Sequence, residues 1–206
     1  MGGSHAGSRH GRRGLTIYLA AALLALAAAT PVAAAKRADA PRIDALEVRM
    51  EGDSRIAVSF RVANGLAGKE MERIRSGLPV EQRHRVEIVS KRALGLWSAK
   101  VHSRVRVDTS AVYDSLTGRY ELTRTLEVGP GKNRPPRIQE ESRTTESLDE
   151  VRSWMTEFGS LPSLDLPDAV PRARLRVRVS STLGRRFVLY LFPDKLTVSA
   201  EQPLEP

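Results

Sequence analysis

The chain has 206 residues, 41% of them hydrophobic, with 33 Lys+Arg against 24 Asp+Glu for a formal charge of +9, and it contains no cysteine. That length suits one globular domain or at most two. The missing cysteines exclude disulfides, thiolate nucleophiles, cysteine-ligated zinc or iron–sulfur centres and lipid attachment through sulfur, which leaves oxygen and histidine chemistry.

The first 35 residues carry no acidic side chain. Arg9, Arg12 and Arg13 precede an apolar run from Leu15 to Ala29, and Pro31 then leads into Ala33, Ala34 and Ala35. This three-zone order predicts a secretory signal cleaved after Ala35, because the apolar run falls short of the roughly 20 residues a membrane-spanning helix needs. Gly14-Leu15-Thr16 after the arginine pair lacks the second large apolar residue of a twin-arginine signal, so ordinary n-region charge is preferred. Residues 36–42 read as a flexible lead-in, 43–199 as a single β-rich domain and 200–206 as a flexible tail.

Within the domain, Leu46, Val48 and Met50 alternate with charged residues, and after a turn at Glu51-Gly52-Asp53-Ser54 the alternation resumes at Ile56, Val58, Phe60 and Val62. Two such runs predict a hairpin. Asn64 is placed to cap a short helix carrying Leu66, Met71 and Ile74, with Gly77 as its left-handed stop. Val80 to Val89 reads as a strand with Val86 and Ile88 inward, Arg83, Arg85 and Glu87 outward, and His84 on the inward parity as a packed side chain. His102 falls on the polar parity of its strand, with no metal-ligand spacing around it.

The central hairpin runs from Trp97 to Val128. Ala99, Val101, Val105 and Val107 share one parity of its first arm, Lys100, His102, Arg104 and Arg106 the other, and Tyr120, Leu122, Leu126 and Val128 repeat the pattern after the turn 114–118. The glycine- and proline-rich run 129–136 reads as a loop without a phosphate-binding pattern. Arg137 to Thr144 is a weak strand. Ser147 and Glu150 form a capping box for a helix with Leu148, Val151, Trp154, Met155 and Phe158 on one stripe, ended by Gly159. After a proline-rich link, Arg172, Arg174, Arg176 and Arg178 alternate along a predicted strand, either paired with acids of a neighbouring strand or left open as a candidate binding face for an anionic partner. Phe187 to Phe192 reads as a buried strand, and Leu196 and Val198 as a short last one. The fold predicted is mainly β: an antiparallel β-sandwich or curled sheet with two short helices packed on it, the runner-up being a single sheet with both helices on one face.

Several of these segments together carry a resemblance. Gly77-Leu78-Pro79-Val80, Trp97, the turn Tyr113-Asp114-Ser115-Leu116-Thr117-Gly118-Arg119-Tyr120 and Ser147-Leu148-Asp149-Glu150 make the chain similar to a family of exported bacterial proteins, the domain of unknown function numbered 4390. The resemblance implies an envelope protein, in some genomes encoded near a sensor histidine kinase, and carries over no reaction, cofactor or catalytic residue.

Functionally, the residues show no Gly-x-Ser-x-Gly elbow and no His-Glu-x-x-His helix. The expectation is a non-catalytic exported protein of the periplasm or cell envelope, without cofactor or metal. It binds an envelope protein, such as a sensor's extracytoplasmic domain, or an anionic envelope polymer, and export argues against nucleic acid as its resident partner. The alternative is an envelope hydrolase whose carboxylates meet only in the fold. N-terminal sequencing of the protein recovered from the envelope fraction should begin at or near Lys36, and a full-length cytoplasmic product would refute the signal reading.

Overall fold

The computed structural model describes residues 40–90, 99–130, 136–159, 161–183 and 196–204. The signal segment, most of the lead-in, Trp97, the loop 131–135 and the apolar run 187–192 lie outside the described residues. In chain order the elements are β1 (Arg42–Glu51), β2 (Arg55–Ala63), α1 (Gly68–Arg75), β3 (Val80–Ser90), β4 (Lys100–Asp114), β5 (Arg119–Pro130), β6 (Arg137–Thr145), α2 (Leu148–Thr156), β7 (Glu157–Phe158), β8 (Leu164–Asp165), β9 (Leu175–Leu183) and β10 (Leu196–Pro203).

The strands form two antiparallel sheets. One is six-stranded in the order β10-β9-β3-β4-β5-β6; the other is built on β1 and β2, with the two-residue β7 and β8 both pairing with β2. Alternation dictates which side chains meet between them. Ile56, Val58, Phe60 and Val62 of β2 share one apolar core with Val86, Ile88, Val105, Val107, Leu126, Val177 and Val179 of the larger sheet. Burying these branched side chains from both sheets is the main drive to close the sandwich. At one side of the sandwich β1 and β10 lie beside each other.

The smaller sheet covers only part of that inner face. Its remainder is covered by both helices, through a second cluster of Ile74, Val80, Ala111, Tyr120, Leu122, Val151 and Met155. The runner-up architecture was therefore right about the helices sharing one face, and the second sheet decides for the sandwich.

Local chemistry sets the element ends. Gly77, at φ +77°, closes α1: its N–H bonds the Ile74 carbonyl while Leu78 N–H bonds that of Arg73, a left-handed C-terminal motif that favours glycine. Ser147 caps α2 by accepting the Glu150 N–H at 3.4 Å. Asp114 organises the hairpin turn, taking the Leu116 N–H and the Thr117 hydroxyl at 2.8 Å each.

Four expectations are corrected. Asn64 does not cap α1, whose N-cap is Ala67, but sits in the left-handed region at φ 55°. Val101 is exposed although Ser103, Val105 and Val107 on its parity are buried, because the register slips between Ile88 and Val89 so that β4 passes β3 by one residue. The stripe of α2 stops short of Phe158, which pairs with Phe60 as part of β7 instead. The tail expected from residue 200 continues β10 to Pro203, and Leu204 beyond it is buried, its N–H bonded to the Leu175 carbonyl.

The central hairpin holds its predicted faces at Val105, fully buried, and Arg106, which bonds acids on the outer face. Val105→Ala should cost about 1–3 kcal/mol in a denaturant titration and Arg106→Ala less than about 1 kcal/mol; equal costs would contradict this assignment of faces.

Candidate functional site

A row of polar side chains crosses the inner face where the two apolar clusters meet. Register aligns Gln82 of β3 with Thr109 of β4, Thr109 with Arg124 of β5, and Arg124 with Glu141 of β6. One step along, His84 faces Ser181 of β9. Gln82 Nε2 donates to the Gly65 carbonyl at 2.7 Å. A Cβ at Gly65 would meet a Val62 methyl at 2.8 Å, so that tight corner requires glycine.

Arg124 is the cation of the row. Its guanidinium lies 4.3 Å from the Trp154 ring and 5.2 Å from that of Phe158, and donates to the Trp154 carbonyl at 2.6 Å. No basic residue stands in the last turn of α2, so Arg124 supplies from the sheet the positive charge that a helix C-terminus favours. Burial lowers its pKa, and the negative charge of Glu141 opposes that shift.

His84 and Ser181 are both fully buried, with Nδ1 and Oγ 2.9 Å apart. Phe158 and Phe60 pack against the imidazole, at ring centroid distances of 4.3 and 6.0 Å. Burial, reinforced by Arg124 and weakly opposed by Asp108, pushes its pKa down to about 3. A neutral histidine sealed beneath two phenylalanines, with Nε2 unpartnered, lacks both the access and the orienting acid that a nucleophile–base pair uses. His102 is half-buried rather than exposed as expected, its Nε2 2.8 Å from Ser90 Oγ.

On the outer face of the same sheet, arginines and acids alternate. Arg104 bonds Glu87 at 2.7 Å, Arg106 bonds Asp108 at 2.7 Å and Glu127 at 3.3 Å, and Arg83 bonds Asp108 at 2.7 Å. Burial alone would raise the Asp108 carboxyl, but the hydrogen bonds from Arg83 and Arg106 outweigh it and leave its pKa below the ordinary value.

The four-arginine ladder does not form as predicted. Arg172–Arg174 is a 3-10 turn after Pro171, and β9 begins only at Leu175. Arg172 Nη2 donates to the Asp53 carbonyl at 2.6 Å and Arg178 bonds Glu201 at 2.7 Å. Arg174 is exposed and Arg176 half-buried. The face is thus divided between a turn and a strand, and two of its four arginines are already engaged.

The opening the sequence did not reveal is a groove of about 750 Å³ on the β6 side of the sandwich. Met50, Val58 and Ser59 of the smaller sheet form one wall, and Leu126, Gln139 and Glu141 the other. It exists because β7 and β8 pair with β2 at Phe60-Arg61 and Arg55-Ile56, so that among the described residues no strand pairs with Ala57, Val58 and Ser59 on that edge. Among the described residues, no three His, Asp or Glu side chains gather in a metal-binding cluster.

The sequence profile of the family described as domain of unknown function (DUF4390) matches residues 38–187, most of the chain. The chain belongs to that family. Searches of curated proteins and of solved structures returned no match. The DUF4390 match spans both helices and β1 through β9, and so takes in the polar row and the groove alike.

The polar row had a signal in the sequence. Arg124 interrupts the apolar parity of Tyr120, Leu122 and Leu126, and Gln82 and Thr109 interrupt theirs; a polar residue at an inward position marks a buried partner. The groove had none, since it depends on how far two short strands reach along β2.

His84 also sets a pH dependence. Its folded pKa lies below the unfolded value of about 6.5, so the unfolded chain binds the extra proton and stability falls as pH drops from about 6.5 towards 3, by up to roughly 1.4 kcal/mol per pH unit. His84→Asn, which can retain the bond to Ser181, should flatten that slope in denaturant titrations; an unchanged slope would contradict the sealed, neutral imidazole.

Proposed function

We propose that this DUF4390 protein is a non-catalytic exported protein of the cell envelope that holds an extended segment of a protein partner, such as a sensor's extracytoplasmic domain, in the groove beside β6. The observation that carries this reading is the groove itself: about 750 Å³, walled by Met50, Val58 and Leu126 and by the polar Gln139 and Glu141, next to three residues of β2 that no strand among the described residues pairs on that edge. An extended peptide entering there gains backbone hydrogen bonds from a sheet edge and side-chain pockets from the walls, the two contributions of strand addition. Export is supported by the three-zone order of the first 35 residues.

An anionic polymer is the weaker reading, because Arg83, Arg104, Arg106 and Arg178 on the outer face are already in ion pairs. A hydrolase reading gains nothing from His84 and Ser181, which are sealed, or from Asp108, which is held ionised between two arginines.

A photo-crosslinking side chain placed at Met50, which is 43% exposed in the groove wall, should capture one envelope protein in living cells, whereas the same group at Arg85 on the outer face should not. Met50→Asp should reduce capture through a crosslinker at Gln139 by roughly tenfold. Equal capture from Met50 and Arg85, or none from either groove position, would refute the reading.

A further inference from the structure

We propose that two copies of this chain pair antiparallel through β6 about a two-fold axis at Ser142, joining their six-stranded sheets into one. This goes beyond the groove reading and does not rest on it.

β6 is a nine-residue strand that among the described residues is bonded to β5 alone, and all of it except Thr145 is exposed. The other edges are blunted. β1 carries a register shift with Ala45 at φ 48°, β10 lies beside β1 and ends in Pro203, and β7 and β8 have two residues each. A long, regular edge with free N–H and C=O groups is a template for another strand unless its side chains forbid pairing.

The charges on β6 forbid most partners and favour one. Arg137, Glu140, Glu141 and Arg143 make no ion pair with any described residue. A two-fold antiparallel pair of identical strands must centre on a residue, because directly opposed residues have to share both sheet face and hydrogen-bonding side. Centring on Glu140, Glu141 or Arg143 sets like charges face to face. Centring on Ser142 places Glu141 opposite Arg143 of the second copy twice, Glu140 opposite Thr144 and Gln139 opposite Thr145, with no like-charge pair. Centring on Gln139 also matches Glu141, to Arg137, but runs only from Arg137 to Glu141 and leaves Arg143 outside the ladder. Opposite charges directly across strands attract and like charges repel, so the same four residues that keep generic strands away select this register.

The absence of cysteine gives a direct test. In the full chain, Ser142→Cys should oxidise to a covalent dimer, since residue 142 opposes itself at a separation a disulfide can bridge, while Glu140→Cys and Thr144→Cys should react at least about tenfold more slowly. In sedimentation velocity without cysteine, Glu141→Arg and Arg143→Glu should each weaken the dimer about tenfold or more. The double exchange E141R/R143E should restore it, and Arg137→Glu should leave it unchanged. A chain that stays monomeric, a disulfide that forms as readily from position 140 or 144, a double exchange that fails to restore pairing, or loss of the dimer on Arg137→Glu would each overturn the proposal.

Discussion

Arg124 is the side chain on which the two halves of the core depend. The inner face of β3, β4 and β5 is longer than the smaller sheet can cover, so its far part is covered by α1 and α2 instead. Where the two coverings meet, Arg124 holds the end of α2 through the Trp154 carbonyl and lies over Phe158, which stacks on Phe60 of β2 with ring centroids 4.6 Å apart. One cation therefore touches the helix, the short strand that follows it and, through Phe158, the opposite sheet. A half-buried charge needs partners, and here it finds a carbonyl and two aromatic faces, with the negative charge of Glu141 opposite it on β6.

Much of the fold was legible because alternation of period two is a direct record of a half-buried strand. Val86 and Ile88, Val105 and Val107, Leu122 and Leu126 all lie on the faces their parity predicts, and His84 follows Val86 inward. The same rule misled at Arg172 and Arg174, where alternating arginines continue the pattern of β9 although Pro171 starts a 3-10 turn and Arg172 turns to the Asp53 carbonyl. Alternation reports spacing and cannot report where pairing starts. Phe158 was misplaced for a related reason: it fits the helical stripe of α2, but stacking on Phe60 draws it into the sheet. The site was less legible than the fold. A groove between two sheets reflects the reach of β7 and β8 along β2, a tertiary quantity with no local signature.

The excess of positive charge has a structural use within the larger sheet. Arg178 of β9 bonds Glu201 of β10, Arg104 of β4 bonds Glu87 of β3, and Arg106 reaches Glu127 of β5. Each exposed pair contributes little by itself. Together they occupy the outer surface with cross-strand contacts that match only in the native register, so charge here reinforces what the inward valines already specify.

The contact between β1 and β10 bears on when this molecule can fold. The first and last strands lie beside each other, and Leu204 completes the core beneath β9. The contacts of β1 with β10, between residues at least 145 positions apart (196 − 51), are slow to form because the whole intervening loop must close first. A chain made from its N-terminus therefore has β1 and β2 in hand long before β10 is available to meet them. Until residue 204 has been made, the apolar face of the smaller sheet has no complete cover, so the first hairpin waits for the last strand before the core can close.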